Sequence, residues 1–423
     1  MPLTMALYDS VLKDLYEGSI REQLNSEVPL FKHLEESEKE WAGRRVVFPI
    51  HTTRNSGVGA RAEGGTLPAA GNQGHSLAIV SATYQYARGA INGPAIAAGK
   101  NAFAAALSME MDGLMSDLKV DLGRQTWGYG DGRMAQVGAD GASSTSISVY
   151  NRFFEPGQNG GRYINQGAIL DMGTVAAPTG QVSSATVISV AVSTTSATTV
   201  DTVTTSLSTV TVSQCETYLF TMGAGGVGVE CLGVQAIVDV FTQANIFGSN
   251  AFYGSSIQGI ARDNVAAWNA NVFGNSGVAR VIDSNLLETV FNQISIDTGE
   301  DPDMIIGHHS VVRALLDSLA ADRRYVSPGT APKYDAGHGG ISYNGVPIET
   351  DRMGTYNQLL VFQKKALKKY TLKPIGFADE DGKILKQVEG IDRWQFWLCT
   401  YFNLGCDGNM KGLAMIRDIQ TDF

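Results

Sequence analysis

The chain contains 423 residues, of which 43% are hydrophobic and 17% are charged, and its formal net charge is −10. That length exceeds what one hydrophobic core usually serves, so two or more lobes are expected. The net negative charge argues against a protein that binds nucleic acid by neutralising its phosphates, since that mode of binding needs a basic surface.

The first forty residues are predicted to form an amphipathic arm. Leu7, Val11 and Leu15 recur at helical spacing. Pro29 then interrupts the pattern, and the acidic run EESEKE follows at 35–40. We interpret the acidic run as a solvated turn, and a docking patch is the alternative.

The next segment is predicted to be a long β-hairpin. Its limbs, at 44–51 and 77–90, carry the β-branched and aromatic residues that favour strands. The connection between them is rich in Gly, Ala and small polar residues, and its large apolar side chains are Val58 and Leu67. A two-stranded ribbon is marginal by itself in water, and a long structureless loop is commonly functional or ordered by a partner. We therefore expect the connection to lie on an adjacent subunit.

A long helix is predicted at 95–127, directly after the turn signal at 92–94. Alanines supply helix propensity, and apolar residues recur at steps of three and four along one face. At 1.5 Å per residue such a helix would be roughly 45–50 Å long. The apolar positions are Phe103, Leu107, Met111, Leu114, Leu118 and Leu122.

Two regions of different composition follow the helix. Residues 128–148 are rich in Gly, Asp and Ser and are predicted to be a loop or linker. Residues 150–235 are β-rich and poor in charge, and 181–212 consists almost wholly of Ser, Thr, Val and Ala. This composition favours a small inserted sheet or barrel with one solvent-exposed face, and argues against a mucin-like stalk because almost no proline is present.

The C-terminal part is predicted to be an α+β lobe. Helical spacing marks 284–294 and 310–321, and buried strands are predicted at 304–306 and 359–362. An aromatic strand is predicted at 394–401.

Residues 223–228 (GAGGVG) match the G-x-G-x-x-G pattern of a dinucleotide-binding loop. That loop needs a helix to begin at once and an acidic residue about 20 positions later. The residues that follow, at 229–234, are instead β-branched and interrupted by Gly233. We interpret 223–228 as a flexible connector between the insert and its parent lobe, and a dinucleotide loop is the alternative.

No catalytic, cofactor-binding or metal site is predicted, and the chain is not expected to be an enzyme. Residues 338–340 resemble an oxyanion segment, but the chain has no G-x-S-x-G nucleophile elbow. His308 and His309 lack H-x-x-x-H spacing and are interpreted as helix-start residues. The lysine run at 364–369 (KKALKK) is interpreted as a solvated edge, with phosphate contact as the alternative.

The cysteines and the hydropathy pattern indicate a protein made in a reducing compartment. Four cysteines are too sparse for a disulfide framework and match no zinc motif. Neither a secretory signal nor a run of eighteen apolar residues is found, so no membrane contact is expected. The cysteines are Cys215, Cys231, Cys399 and Cys406.

The order of these elements resembles that of tailed-bacteriophage major capsid proteins with the Hong Kong 97-type fold. Three runs are similar to segments in the central lobe of such proteins: PDMIIGHHSVVR at 302–313, YNGVPIETD at 343–351 and DGKIL at 381–385. The resemblance covers nearly the whole chain apart from the insert. It implies an α+β fold with an N-terminal arm, an extended β-hairpin loop, a spine helix, an inserted β-rich domain and a central axial domain.

The resemblance also implies limits for these parts. They are an N-terminal arm at 1–43, an extended loop at 44–94, a peripheral domain with the spine helix at 95–149, an inserted β-rich domain at 150–235, an axial domain at 236–390, and a C-terminal return to the peripheral domain at 391–423.

The implied function is that of a coat subunit. Such subunits form hexamers and pentamers and close an icosahedral head, which matures from a procapsid around double-stranded DNA. Another phage structural component, such as a tail or adhesin protein, is the alternative.

The implied partners are copies of the chain itself and a portal, while a decoration protein is left open. DNA would be touched weakly and non-specifically, because an acidic wall lets it slide. The implied location is the virion, after synthesis in the host bacterial cytoplasm.

The sequence departs from some relatives in two respects. An isopeptide crosslink in such shells needs a lysine on the extended loop, but residues 40–99 contain none. We therefore predict no such crosslink. The helical pattern of the arm begins within the first ten residues, so a separate scaffolding protein is expected rather than a cleaved scaffolding segment.

Without covalent links, a shell is held by buried area and by charge pairs between subunits. Charged residues on the hairpin are predicted to form such pairs, because arginine makes bidentate contacts suited to interfaces. The alternative is that they only keep an exposed ribbon soluble. These predicted intersubunit residues are Arg44, Arg45, Arg54, Arg61 and Glu63.

Overall fold

The structure is a computed structural model. It describes residues 29–92, 100–138, 141–142, 145–151, 160–174, 177–180, 182–191, 201–207, 211–212, 217–226, 228–238, 256–262, 265–320, 341–379 and 383–421. The predicted arm helix near the N-terminus and residues 338–340 lie outside these ranges.

The described chain is mixed α+β, as predicted. Its helices are α1 (Pro29–His33), α2 (Lys100–Thr126), α3 (Val234–Val238), α4 (Ser284–Thr298) and α5 (His309–Ala320), with 3-10 turns at Ala266–Trp268 and Met410–Gly412. Its strands are β1 (Glu35–Glu36), β2 (Arg45–Thr53), β3 (Gly74–Ser81), β4 (Thr83–Asn92), β5 (Arg133–Val137), β6 (Gly141–Ala142), β7 (Ser146–Asn151), β8 (Ile169–Gly173), β9 (Val182–Ala191), β10 (Asp201–Thr205), β11 (Thr211–Val212), β12 (Tyr218–Thr221), β13 (Ser256–Ile257), β14 (Ile260–Ala261), β15 (Asn271–Phe273), β16 (Met304–Gly307), β17 (Ile341–Tyr343), β18 (Val346–Thr350), β19 (Leu359–Phe362), β20 (Leu367–Phe377), β21 (Lys386–Gln387), β22 (Arg393–Cys406) and β23 (Leu413–Ile416).

The long helix α2 packs on a five-stranded sheet. The sheet has the order β1-β20-β22-β21, with β4 also paired to β22. Alternate residues of β4 are buried, and α2 contacts this strand. The helix has 27 residues, which corresponds to about 40 Å. Met111, Leu118 and Leu122 on its predicted apolar face are buried, so the periodicity in that part of the helix correctly indicated the packed side.

A second layer forms the C-terminal lobe. Six strands in the order β15-β23-β19-β16-β18-β17 pack against α4 and α5 around a core of their own. The two predicted helices and the two predicted buried strands are confirmed here, and β16 and β19 are buried at every residue. Asp283 caps α4 by accepting a 2.8 Å hydrogen bond from the amide of Leu286.

The predicted insert contains a closed six-stranded barrel in the order β10-β7-β5-β12-β8-β9, with a separate apolar core. Its first strand, β5, and the start of β7 lie within 128–148, so the prediction of a loop or linker there was wrong. Local composition misled because β5 is stabilised by pairing with β12, more than 80 residues further along the chain.

The predicted hairpin is shorter than expected. β2 and β3 pair from Arg45↔Ser81 to Thr53↔Gly74, and we call this pair the hairpin. After Ala82 the chain leaves it, and β4 pairs with β22 instead. The prediction of one return limb at 77–90 was therefore wrong, because the second half finds its partner some 300 residues later.

None of the helices in the described part of the chain combines the length and the apolar character needed to cross a bilayer.

Candidate intersubunit surfaces

The hairpin has one face on the body of its own chain. Val46, Phe48, Ala78 and Val80 belong to the main core. The Phe48 ring stacks on that of Tyr370, with centroids 6.1 Å apart. This part of the ribbon is therefore stabilised within the subunit, and burial on a neighbour stays a prediction for the connection between the strands.

The opposite face of the hairpin carries two exposed large apolar side chains among polar ones. Val47 is 47% exposed and Leu77 is 59% exposed, and the two residues lie on paired strands. Their exposure leaves apolar area on this face that a neighbouring molecule could cover.

The connection between the strands, residues 54–73, is called the tip loop. Val58 and Leu67 are 85% and 83% exposed, so the body of the subunit leaves both large apolar side chains in water. The hydrogen bonds of the described tip-loop residues all stay within the loop, for example Gly57 N to Asn55 Oδ1 at 2.7 Å and Gly65 N to Ala62 O at 2.9 Å. The tip loop thus holds its own turns and presents an unburied apolar surface.

The five predicted intersubunit residues are all exposed on the hairpin or beside it. Arg61 donates hydrogen bonds to the carbonyls of Thr66 (3.1 Å) and Ala60 (3.0 Å), which fixes a turn of the tip loop. None of the five side chains forms an ion pair with another residue in the described part of the chain. Arg44, Arg45, Arg54, Arg61 and Glu63 therefore present charge that is available to a neighbour, and their intersubunit role stays a prediction.

The acidic run is docked on the lysine run of the same chain. β1 pairs in parallel with β20, placing Glu36 opposite Lys369, and Lys369 Nζ lies 3.3 Å from a Glu36 carboxylate oxygen. Lys39 forms a further ion pair with Asp407. The start of the acidic run is therefore an edge strand rather than the predicted turn, but its glutamates are exposed, so the run is solvated as predicted. The lysine run is solvated only in part, since Lys365 is exposed and Lys364, Lys368 and Lys369 are half-buried. The pairing was missed because the two segments lie more than 300 residues apart in sequence.

Asp351 connects three parts of the subunit. Its carboxylate accepts hydrogen bonds from the indole Nε1 of Trp127 (2.9 Å), the amide of Met353 (2.8 Å) and the amide of Leu30 (3.5 Å). Burial raises the pKa of this carboxyl. This buried carboxylate of the C-terminal lobe thereby holds both α1, through Leu30, and the end of α2, through Trp127.

A buried ion pair links α2 to the connector that follows the barrel. Arg124 donates to both carboxylate oxygens of Glu230, one at 3.1 Å, and to Asp121 at 2.8 Å. Arg124 and Glu230 are both buried. Burial acts to lower the pKa of Arg124, but Asp121 and Glu230 outweigh it and raise that pKa.

The glycine-rich stretch that includes this connector does not have the geometry of a dinucleotide loop. Gly223 and Gly228 adopt positive φ in turns. In the described residues no helix begins until α3 at Val234, and α3 has only five residues. The stretch joins β12 to α3, as the connector interpretation proposed.

His308 and His309 stand at the start of α5, which confirms their interpretation as helix-start residues. The Nδ1 atom of His308 accepts a hydrogen bond from the amide of Ser310 at 3.2 Å, and its ring packs edge-on against Tyr356. Burial, with Arg162 and His309 nearby, lowers the pKa of His308 to about 4. The folded chain therefore holds this imidazole neutral.

His308 should give the stability a defined pH dependence. Its folded-state pKa of about 4 lies below the ordinary value of 6.5, so the unfolded chain binds a proton that the folded chain does not. The stability that the neutral ring contributes is complete above pH 6.5 and is lost as the pH falls towards 4, by on the order of 1–3 kcal/mol. His308→Asn keeps an acceptor for the Ser310 amide but cannot titrate in this range. The thermal unfolding temperature should therefore fall less between pH 7 and pH 4 in the variant than in the wild type. An equal fall in both proteins would contradict this role of His308.

No protein-family model and no curated protein sequence matches the chain. Among solved structures it is similar to a chain of the cyanophage A-1(L) capsid asymmetric unit, with 13% identity, 93% of each chain covered and a TM-score of 0.53. It is also similar to a capsid chain of the native GTA particle (6% identity, 92% and 90% covered, TM-score 0.47) and to one of the Myoviridae phage XM1 capsid (6%, 92% and 91%, 0.44). The first likeness shows that this chain shares its fold with a chain of the cyanophage A-1(L) capsid.

Proposed function

We propose that this chain is a major capsid protein, which assembles with copies of itself into the icosahedral head of a tailed bacteriophage. The observation that carries the proposal is the fold shared with the cyanophage A-1(L) capsid chain over 93% of both chains. A fold alone does not fix a function. The exposed apolar tip loop adds the property that assembly requires, a surface that its own subunit leaves unburied.

We further propose the Hong Kong 97-type organisation for the subunit. Residues 1–43 would be the arm, 44–94 the extended loop and 95–149 the peripheral domain whose spine is α2. Residues 150–235 would be the inserted domain, 236–390 the axial domain and 391–423 the return. The long helix on a sheet, the barrel and the α+β lobe support this organisation, although β5 and the first residues of β7 join the barrel from before residue 150.

Noncovalent contacts would hold the shell, because the extended loop carries no lysine for an isopeptide bond. The proposed partners are further copies in hexamers and pentamers, a portal and a separate scaffolding protein. DNA would be contacted weakly, in line with the net charge of −10. Synthesis would take place in the host bacterial cytoplasm, and the mature location would be the virion.

The alternative, a tail or adhesin component, has less support. Such a protein should consist of β repeats throughout and lack a long helix. This chain has a 27-residue helix and an α+β lobe beside its barrel.

Electron microscopy tests the proposed function. The recombinant chain is purified and imaged by negative stain, alone and together with a candidate scaffolding protein. Closed shells, or hexamers and pentamers, are the expected products. A monodisperse monomer under every condition, with no assembly on adding the scaffolding protein, would contradict the proposal.

Charge reversal at Arg61 tests one predicted intersubunit residue. Arg61→Glu should reduce the yield of shells, because a guanidinium that can pair with a neighbouring carboxylate becomes a repulsive charge. Arg61→Lys is the matched control: it keeps the charge, and it should assemble better than Arg61→Glu. Shell counts by electron microscopy provide the readout, and wild-type yields from Arg61→Glu would remove Arg61 from the interface.

A further inference from the structure

Two histidines face each other across the hairpin, next to the tip loop. His51 on β2 lies directly opposite His75 on β3, and their ring centroids are 5.5 Å apart. Both side chains are exposed. They share the outward face of the ribbon with Val47 and Leu77, since all four residues alternate with buried or half-buried ones along their strands.

The spacing of the two rings fits a shared metal ion. Two imidazole nitrogens that each lie about 2.1 Å from one tetrahedral Zn²⁺ place their ring centroids roughly 5 Å apart. Imidazole is also a preferred ligand of divalent zinc, nickel and copper. The observed centroid separation of 5.5 Å is close to this value.

The pair would be an open site rather than a closed structural one. Among the described residues no group of three or more His, Cys, Asp or Glu side chains is placed to hold a metal. The described residues thus supply two ligands here, and water would complete the coordination in the free subunit. Open sites of this kind bind less tightly than four-ligand sites but remain selective for metals that favour nitrogen.

We propose that His51 and His75 form a binding site for a divalent transition metal ion, of which zinc is the representative. Bound metal links β2 to β3 at the end of the hairpin, where the register shifts between His51 and Thr53 and the chain leaves for the tip loop. The Thr53↔Gly74 pair already joins the ends of the tip loop, and bound metal stabilises that pairing against fraying, because the ion is held only while His51 and His75 stay opposite each other. Metal binding therefore restrains the tip loop. This site does not depend on the proposed capsid function.

Zinc binding to the full-length, tag-free protein is the first test. Equilibrium dialysis against zinc alone should give one saturable equivalent per subunit, and His51→Asn and His75→Asn should each weaken it by at least about tenfold through loss of one of two ligands. His309→Asn removes an exposed histidine elsewhere and should bind as the wild type does. Binding by the His51→Asn/His75→Asn double variant that equals the wild type, or no binding by the wild type, would overturn the proposal.

Limited trypsin digestion gives a second, local readout. Arg54 and Arg61 are exposed cleavage points within the tip loop. Zinc should slow cleavage after these residues in the wild type but not in His75→Asn, and circular dichroism checks that the variant is folded. Equal slowing in both proteins, or none in the wild type, would overturn the restraint. Shell formation by the double variant would leave the capsid proposal intact, so the two proposals fail separately.

Discussion

Replacing the tip loop, residues 54–73, with a two-residue Asn-Gly turn is expected to abolish shell assembly while the subunit still folds. Val58 and Leu67 are exposed in the subunit, and full burial of such a side chain contributes roughly 1.5–3 kcal/mol. Two of them then contribute roughly 3–6 kcal/mol to each contact, repeated over every subunit of a shell. Removal of that contribution from all contacts at once should prevent closure.

Folding should survive this replacement because β2 and β3 remain paired and packed on the main core through Val46, Phe48 and Val80. Asn-Gly is a preferred two-residue hairpin turn. Circular dichroism and thermal unfolding check the fold, and electron microscopy checks assembly. The matched variant is Val58→Ser/Leu67→Ser, which keeps the loop length and should also prevent closure, because it removes the same two apolar side chains. Normal shells from the shortened chain would show that the tip loop is not an assembly contact.

Glu230→Ala is expected to destabilise the subunit by about 3–5 kcal/mol, because it leaves the buried guanidinium of Arg124 without its main partner. Asp121 remains, but it is 45% exposed and cannot replace a buried carboxylate. The fall in thermal unfolding temperature measures the effect.

The double variant Arg124→Met/Glu230→Leu provides the control for this prediction. Replacing both charges by apolar groups of similar size should restore most of the lost stability, since neither is then left uncompensated. If the double variant is as unstable as Glu230→Ala, packing volume rather than charge explains the loss.

Local patterns in the sequence were sufficient to predict those helices and strands whose formation depends mainly on their own residues. The three- and four-residue spacing of apolar side chains correctly indicated the buried side of α2 at Met111, Leu118 and Leu122. The two helices of the C-terminal lobe and its strands β16 and β19 were predicted for the same reason. Each helix carries a complete periodic signal within about fifteen residues, and each of the two strands is a short run of apolar residues.

Pairing between distant segments could not be predicted from the sequence. β4 reads as a continuation of β3 because both are rich in β-branched and aromatic residues, yet its partner is β22. The acidic run and the lysine run each resemble a solvated segment when considered alone. Only the parallel register of β1 on β20 shows that they lie side by side, with Glu36 and Lys369 forming an ion pair.

The candidate surfaces show the same contrast between features that local sequence indicates and features that depend on strand pairing. The composition of the tip loop, small residues with the two large apolar side chains of Val58 and Leu67, was sufficient to indicate an exposed element. His51 and His75 carry no motif spacing, since 24 positions separate them. Their proximity follows from the register of the hairpin, which the sequence does not specify.

Labelling of a cysteine placed in the tip loop tests the central claim most directly, namely that this loop is buried only on another copy of the chain. Leu67→Cys is treated with a maleimide as an isolated subunit and as an assembled particle, with the wild type as background. Cys231, Cys399 and Cys406 are buried, so their contribution should be small. We expect rapid labelling in the subunit and labelling at least about tenfold slower in the particle, because burial excludes the reagent. Equal rates in the two states, or a cysteine already protected in the isolated subunit, would contradict the claim.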